Sequence, residues 1–233
     1  MKERIQKILS ARGVASRRHA EELMQSGRIT CNGQVCSIGD CADPYVDEIC
    51  LDGKPIPSKQ KNIYIMLNKP RGYVTTLSDE KGRKNVAQLV ADCGYRVYPV
   101  GRLDMDSDGM LLMTNDGEFA NRLMHPKHEI KKTYRVVVKG FTREAMEKLQ
   151  KPMRLDGCLL RKPDVELITE SANAVLHITI HEGKNRQVRR MCAFCGMKVQ
   201  RLTRISEGSL SLGDLPLGKW RYLTDTEVAE FAR

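Results

Sequence analysis

Residues 98–117 read YPVGRLDMDSDGMLLMTNDG and hold the densest group of carboxylates in the chain. The segment up to residue 109 is polar, and Pro99 opens it while Gly109 closes it, which is typical of a loop. The apolar run MLLMT at 110–114 then predicts a buried strand. We therefore expect a carboxylate-bearing loop that runs directly into a β-strand. Its aspartates are Asp104, Asp106, Asp108 and, beyond the strand, Asp116.

Three kinds of site are compatible with this loop. A calcium loop would begin at Asp104, but its twelfth position is Asn115, where a bidentate glutamate is required. A magnesium nuclease needs carboxylates that converge from several elements, which one loop does not show. The third possibility is a single catalytic carboxylate, Asp104, because a neighbouring cation such as Arg102 would keep it ionised. Taken alone, an Arg-x-Asp triplet is more often a surface ion pair.

The region from residue 63 onward mixes strands and helices. Because they alternate at irregular intervals, the pattern favours an α+β domain with a mixed, mainly antiparallel sheet over a regular βαβ series. Strands are predicted at 63–67, 110–114, 133–138, 175–180 and 199–205, and helices at 117–124, 142–150, 185–195 and 224–231.

A basic segment lies between residues 181 and 204. It has seven lysines and arginines against one glutamate, a net charge of +6. Asn185 is expected to cap the helix at 185–195, and that helix carries three arginines on one face. A solvated helix surface is the usual explanation, but the shortage of acidic partners favours a surface that faces RNA. The basic residues are Lys184, Arg186, Arg189, Arg190, Lys198, Arg201 and Arg204.

Residues 1–57 predict a separate small domain, joined by a polar linker at 58–62 to a domain at 63–233. Between residues 1 and 28, seven lysines and arginines face three glutamates, so the predicted helices are basic. That placement suits contacts with a phosphate backbone. The predicted elements are a helix that ends before Gly13, a helix at 16–26 capped by Ser16, a hairpin at Asn32-Gly33 and a strand at 45–51.

The whole chain has 233 residues and a formal net charge of +10, from 39 Lys and Arg against 29 Asp and Glu. This surplus favours a polyanionic partner, although charge alone equally fits a basic soluble protein. No apolar run approaches the ~18 residues of a membrane span, and no signal peptide is apparent, so we expect a cytoplasmic protein without membrane partners. Its eight cysteines are then expected to be reduced core thiols, and the lone C-x-x-C at Cys192 and Cys195 falls short of a zinc site.

The run ARGVASRRHAEELMQSGRITCNGQV at 11–35 resembles the alpha-L, or S4-type, RNA-binding motif, a small domain shared with a ribosomal small-subunit protein. Two helices, a turn and an Asn-Gly hairpin follow in the expected order, and the resemblance covers about residues 1–55. It implies RNA binding but no chemistry. The RNA-binding residues that it implies are Arg12, Arg17, Arg18 and Arg28.

Five further motifs follow in one order: MLNKPRGYVTT, VGRLDMDSDGMLLMTNDG, HPKHEIKKTY, EGKNRQVRRM and LPLGKWRYLT. Together they resemble the ribosomal-RNA pseudouridine synthases that carry an N-terminal S4-type domain. The resemblance implies that Asp104 is the essential aspartate, that Tyr134 is the active-site tyrosine, and that Arg189 pairs with the aspartate, with Arg186 as the alternative. The resemblance places Asn68, Lys69 and Arg71 near the RNA and gives Arg102 a part in displacing the target base. The charge of the basic segment adds Lys184, Arg186 and Arg190 as RNA-binding residues.

The resemblance also implies an isomerisation that needs no cofactor, and the chain has neither a G-x-G-x-x-G nor a phosphate-loop motif. The implied partner is structured ribosomal RNA, free or in assembling subunits, bound by a monomer. A noncatalytic RNA-binding or ribosome-assembly factor is the main rival and would need the basic surfaces without Asp104. A metal-dependent nuclease is the second rival. The sequence does not identify the ribosomal subunit, the target uridine, or the role of Asp104 as nucleophile or base.

Overall fold

The computed structural model describes residues 1–231 and divides into two compact units. The first unit holds Met1–Asn62 and Asn115–Gly117, and the second holds Ile63–Thr114 and the chain from Glu118 onward. The short segment belongs to the first unit because Asn115 Nδ2 donates to the Lys61 carbonyl over 2.9 Å, and Asn62 Nδ2 donates to Asp116 Oδ2 over 3.1 Å.

The first unit packs two helices against short strands. Ser16 accepts a hydrogen bond from the His19 amide over 3.1 Å, which confirms the predicted N-cap. Asn32 and Gly33 have φ angles of 50° and 78°, as a tight hairpin turn requires, so the predicted hairpin is also confirmed. The elements are β1 (Glu3–Arg4), α1 (Ile5–Ala11), α2 (Arg17–Gln25), β2 (Ile29–Cys31), β3 (Gln34–Val35), β4 (Cys41–Ala42), β5 (Ile49–Leu51) and β6 (Lys54–Pro55).

The predicted strand at 45–51 is too long. Only β5 is extended, and Tyr45 and Val46 lie in a turn where they are 84% and 81% exposed. The turn is held by Asp43, whose Oδ1 accepts from the Tyr45 amide, and by Asp47, whose Oδ2 accepts from the Asp43 amide over 2.7 Å. Aspartate side chains that bond nearby amides favour a turn over a strand.

The second unit is built on one large sheet. Its strands are β7 (Tyr64–Lys69), β8 (Tyr98–Pro99), β9 (Asp108–Thr114), β10 (Lys132–Lys139), β11 (Met153–Leu155), β12 (Cys158–Leu160), β13 (Asp164–Thr169), β14 (Asn173–Ile180), β15 (Lys198–Glu207), β16 (Leu210–Ser211) and β17 (Trp220–Tyr222). Its α-helices are α3 (Val86–Leu89), α4 (Gly117–Met124), α5 (Arg143–Leu149), α6 (Gln187–Phe194) and α7 (Asp225–Glu230).

The strand order in the sheet is β13-β14-β10-β15-β9-β7-β17, with β8 paired to β9 and β16 paired to β15. The pair β15–β9 is parallel, whereas the other strand pairs of this order are antiparallel. This arrangement confirms the predicted mixed, mainly antiparallel α+β fold. The hairpin of β11 and β12 lies outside the sheet.

Strands β7 and β9 are buried on both faces because apolar side chains alternate between two cores. Leu111 and Met113 join a core with β10, β14 and α6, whereas Met110 and Leu112 join a second core with α4 and α7. The loop that carries Asp104 therefore ends on a strand with no solvated face.

Most predicted elements of this unit are present, but helix α6 begins later than predicted. Its N-cap is Arg186, in a left-handed conformation with φ 49° and without a side-chain cap, rather than Asn185. The helices predicted at 142–150 and 224–231 are present, and Thr142 and Thr224 are their N-caps, since each hydroxyl accepts from an amide in the first turn of its helix. Among residues 1–231, no helix is long and apolar enough to cross a membrane.

Gly109 of β9 lies against the Arg204 backbone of β15, and an added Cβ there would clash with the Arg204 carbonyl oxygen. Its φ of +107° also disfavours any side chain. Gly109→Ala should therefore lower the free energy of unfolding by about 2–4 kcal/mol, measured by urea denaturation.

The matched control is Gly218→Ala, where φ is +78° but no atom lies within 4 Å of the added Cβ. This variant should lower the free energy of unfolding by about 1 kcal/mol, because it adds backbone strain but no steric clash. Equal losses in the two variants would show that the contact between β9 and β15 does not constrain Gly109.

Candidate active site

A cleft of about 1270 Å³ opens in the second unit. Its walls come from the loop after β7, the loop between β8 and β9, the segment before β10, and the turn between β14 and α6. A volume of this size exceeds the range of about 300–1,000 Å³ that is common for small-molecule pockets. The cleft is therefore large enough to receive a nucleotide together with part of its chain.

Asp104 lies in this cleft on the loop between β8 and β9, with its side chain 30% exposed. Both sides of the loop are held by hydrogen bonds. Thr75 Oγ1 donates to the Leu103 carbonyl over 2.6 Å, and the Gly72 amide donates to the Met105 carbonyl over 2.8 Å. The carboxylate is thus presented to the cleft by a backbone that is fixed on either side of it.

Lys69 of strand β7 also holds this loop. Its side chain has no exposed surface, and its Nζ donates to three carbonyls: Pro70 at 3.1 Å, Asp104 at 3.1 Å and Ser107 at 2.9 Å. Burial lowers the pKa of Lys69 to about 8, although the nearby carboxylates of Asp108, Asp104 and Asp106 oppose this effect.

The prediction that Asn68 and Lys69 bind RNA is therefore wrong. Strand β7 is covered on both faces, so neither side chain reaches the surface. Asn68 Nδ2 donates to the Leu215 carbonyl over 2.7 Å, which ties β7 to the chain before β17. Lys69 thus supports the loop around Asp104.

Two arginines of the α6 region face the acidic loop. Arg186 donates to both carboxylate oxygens of Asp106 over 3.1 and 3.0 Å, and its Nη1 lies 3.5 Å from Asp104 Oδ2. Arg189 Nη2 donates to the Asp106 carbonyl over 2.9 Å and to Ser107 Oγ over 3.3 Å. The loop is thus joined to α6 by charge-assisted hydrogen bonds.

The predicted ion pair between Asp104 and Arg189 is replaced by a pair with Arg186. Arg186 lies just before the first turn of α6, and its guanidinium reaches Asp104 from there. Arg189 instead fixes the backbone next to Asp104, and its catalytic role remains a prediction. Burial alone would raise the pKa of Asp106, but the two arginines outweigh this effect and lower it.

Tyr134 lies on β10 with its side chain turned into the cleft wall and only 7% exposed. Burial raises the pKa of its hydroxyl, and Tyr134 is paired with Arg204 of the neighbouring strand β15. Arg204, 2% exposed, was predicted to belong to a basic RNA-facing surface, and that part of the prediction is wrong. Its position two residues after the apolar Leu202 could have indicated the buried face of a strand.

The comparisons with known proteins agree with this geometry. A family model described as RNA pseudouridylate synthase matches residues 63–194, and an S4 domain model matches residues 3–40. Ribosomal large subunit pseudouridine synthase B of Bacillus subtilis (strain 168) is 42% identical, over 97% of this chain and 94% of that protein. This chain belongs to the RNA pseudouridine synthase family.

Two further relatives support the assignment to this family of isomerases. Dual-specificity RNA pseudouridine synthase RluF of Escherichia coli (strain K12) is 35% identical, over 97% of this chain and 77% of that protein. A crystal structure of a pseudouridylate synthase is 27% identical, covers 98% of this chain and 99% of its own, and superposes with a TM-score of 0.70. The synthase thus combines an S4 domain with a pseudouridine synthase domain.

Other predicted RNA-binding residues of the synthase domain surround the cleft or lie near it. Arg102 and Lys184 are exposed on the cleft walls. Arg71 is half exposed and donates to the Gln200 carbonyl over 2.8 Å, while its Nε lies 3.8 Å from Asp108. Arg190 pairs with Asp156 on the β11–β12 hairpin and is not among the residues that line the cleft.

The cations predicted in the S4 domain differ in their surroundings. Arg17 and Arg18 are exposed on the first turn of α2. Arg12 is half-buried and donates to the Pro44 carbonyl. Arg28 is exposed and donates to both carboxylate oxygens of Asp52, over 2.8 and 2.5 Å. Arg17 and Arg18 are therefore the more accessible pair for a phosphate backbone.

Four of the eight cysteines are buried as predicted, whereas Cys31 and Cys50 are half-buried and Cys41 and Cys158 are exposed, so the prediction of core thiols is wrong for the last two. Within residues 1–231, no group of three or more histidine, cysteine, aspartate or glutamate side chains is arranged to hold a metal ion. Cys192 and Cys195 are free and buried, and burial raises the pKa of the Cys192 thiol to about 12. A thiol this reluctant to ionise suits a role in the core better than one in metal binding.

The buried Lys69 gives the synthase a pH-dependent stability that a Lys69→Met variant lacks. Its pKa is about 8 in the folded chain against an ordinary value of 10.5. Since the unfolded chain keeps this proton to a higher pH, the free energy of unfolding rises as pH increases from 8 to 10.5. Urea denaturation across this range should show the wild type gaining about 3 kcal/mol relative to the variant.

The exposed Lys139 provides a control, because Lys139→Met should follow the pH dependence of the wild type. If the stability difference between wild type and Lys69→Met stayed constant across this range, the ammonium would not be buried as the structure shows.

Proposed function

We propose that this synthase isomerises specific uridines of ribosomal RNA to pseudouridine, with Asp104 as the catalytic carboxylate and without a cofactor. The observation that carries the proposal is the placement of Asp104. It lies in a nucleotide-sized cleft, 3.5 Å from the Arg186 guanidinium, on a loop whose carbonyls are held by a buried lysine. The guanidinium and the fixed loop hold the carboxylate in one orientation, as attack at a sugar carbon requires.

The reaction is a rearrangement within one nucleotide. The bond between uracil N1 and ribose C1′ breaks, the freed base turns, and a bond forms between C5 and C1′. The proton on C5 is lost while N1 gains one, so the atoms balance without oxidant or reductant. Asp104 acts at the ribose, either as a nucleophile at C1′ or as the base that removes the C2′ proton.

The target base must leave the RNA stack to reach Asp104, which costs roughly a few kcal/mol. Arg102, exposed on the cleft wall beside Asp104, is placed to fill the space that the base vacates. Tyr134 offers an aromatic ring and a hydroxyl on the cleft wall for the displaced base. Phosphate contacts from exposed cations, such as Arg17, Arg18 and Lys184, offset the cost of displacement.

Ribosomal RNA is proposed as the substrate because the S4 domain and the cleft each carry exposed cations, and because a relative that is 42% identical is named for the large ribosomal subunit. Large-subunit RNA is therefore the first substrate to test. We further propose that the synthase acts as a monomer in the cytoplasm, on free RNA or on assembling subunits.

The test is an Asp104→Asn variant compared with wild type on unmodified ribosomal RNA, without added metal or cofactor. Pseudouridine is mapped by adduct formation and primer extension, and RNA affinity is measured at fixed salt. We expect the rate of pseudouridine formation to fall at least about 10³-fold, because an amide is neither nucleophile nor base. Affinity should stay equal or rise slightly, because one negative charge is removed.

The control is Asp214→Asn, an exposed aspartate between β16 and β17 that is not among the residues lining the cleft. It should modify RNA at the wild-type rate. Pseudouridine formation by Asp104→Asn at that rate would exclude Asp104 as the catalytic group. Tight binding by wild type without any product, on either subunit's RNA, would instead indicate a noncatalytic assembly factor.

A further inference from the structure

The cleft wall also carries an ion pair that none of the roles assigned so far uses. Arg161 Nη1 lies 2.5 Å from Glu129 Oε1, and both residues line the same cleft as Asp104. Arg161 follows β12, whereas Glu129 lies between α4 and β10, so the pair joins two separate segments of the wall. Arg161 lies outside the basic segment at 181–204, and the sequence did not indicate that it binds RNA.

The backbone of Arg161 is fixed to the turn between β14 and α6. Its amide donates to Glu182 Oε1 over 3.2 Å, and Gln187 Nε2 donates to the same oxygen over 3.0 Å. Gln187 is buried and is the first residue of α6. The Arg161 side chain therefore starts from a defined position, which is linked to the helix whose N-cap, Arg186, pairs with Asp104.

The guanidinium of Arg161 has donors to spare for a ligand. Its side chain is 55% exposed, and among residues 1–231 the carboxylate of Glu129 is the one group that pairs with it. A guanidinium has five N–H donors in a planar fork that matches the oxygens of a phosphate. An exposed ion pair contributes little free energy, because water screens both charges. A phosphate can therefore take the place of the carboxylate.

Glu129 has a backbone conformation that glutamate rarely adopts. Its φ is +49°, in the left-handed region that glycine and asparagine occupy more readily. The residue ends the short 3-10 helix Pro126–His128, and its carboxylate meets Arg161 from there. Because strained backbone is concentrated at functional sites, a glutamate at this position indicates a use for its side chain.

We propose that Arg161 binds a phosphate of the RNA strand in the cleft, and that Glu129 holds the guanidinium until this phosphate replaces it. The inference rests on the proposed function, because the phosphate belongs to ribosomal RNA bound for reaction at Asp104. The exchange leaves Glu129 without its partner, which offsets part of the gain from the phosphate contact. RNA that places no phosphate at Arg161 binds without this gain.

The experiment measures the Kd of unmodified ribosomal RNA for wild type, Arg161→Gln, Glu129→Gln and the double variant, a double-mutant cycle. We expect Arg161→Gln to weaken binding about 3-fold when Glu129 is present and about 10-fold in the Glu129→Gln background. The second loss is larger because the phosphate contact in that background displaces no ion pair. Equal losses in the two backgrounds would overturn the exchange.

The salt dependence of Kd shows whether Arg161 contacts a phosphate directly. In the Glu129→Gln background, Arg161→Gln should reduce the slope of log affinity against log salt by about 0.7, the value for one phosphate of a single strand. An unchanged slope would contradict the phosphate contact.

A charge swap, Glu129→Arg with Arg161→Glu, separates this contact from the overall charge. It keeps the net charge and the opposed pair but moves the cation to the other segment of the wall. The swap should bind RNA no better than Arg161→Gln. Wild-type affinity in the swap would overturn the proposal.

The matched control is Arg143→Gln. Arg143 Nη2 lies 2.5 Å from Glu170 Oε2 in another exposed pair, and neither residue is among those lining the cleft. This variant should bind RNA with the wild-type Kd, and a loss equal to that of Arg161→Gln would overturn the proposal. A wild type that binds RNA without forming pseudouridine would contradict the proposed function instead. Because the cycle measures Kd alone, the two failures are distinguishable.

Discussion

The hydrogen bonds from the Lys69 ammonium to the carbonyls of Pro70, Asp104 and Ser107 are the constraint on which the site depends. A loop with Asp104, Asp106 and Asp108 at alternate positions would otherwise be a solvated turn. Three carbonyls on one buried cation give it a fixed backbone, and strands β7 and β9 supply the apolar surroundings. Burial of the ammonium is costly, and the low pKa of Lys69 reflects that cost.

Cations bind this acidic loop on two sides. Lys69 lies beneath it, while Arg186 and Arg189 bind it from the start of α6. Because these cations engage Asp106 and the backbone, Asp104 stays partly exposed with one guanidinium at 3.5 Å. An anionic RNA would then meet cations first, and the carboxylate only once a base has entered the cleft.

Local signals in the sequence were sufficient to predict most helices and strands, but they did not predict which polar side chains are buried. The Ser16 cap was predictable because the residues that form it lie within one helical turn of each other. The alternation of side chains along a strand indicates the inward direction of Arg204 after Leu202. A register shift between β10 and β15 breaks that alternation before Glu207, so its burial was not predictable from spacing. Lys69 was misassigned because the carbonyls of Pro70, Asp104 and Ser107 come together around its ammonium only in the folded chain.

If Lys69 orders the loop that presents Asp104, its removal should loosen that loop and little else. Hydrogen–deuterium exchange of wild type and Lys69→Met at neutral pH measures this directly. The Leu103 and Ser107 amides, which bond Thr75 Oγ1 and the Asp104 carbonyl, should exchange faster in the variant, while strand β9 at 110–114 keeps its protection. Unchanged protection at Leu103 and Ser107 would show that the loop does not depend on Lys69.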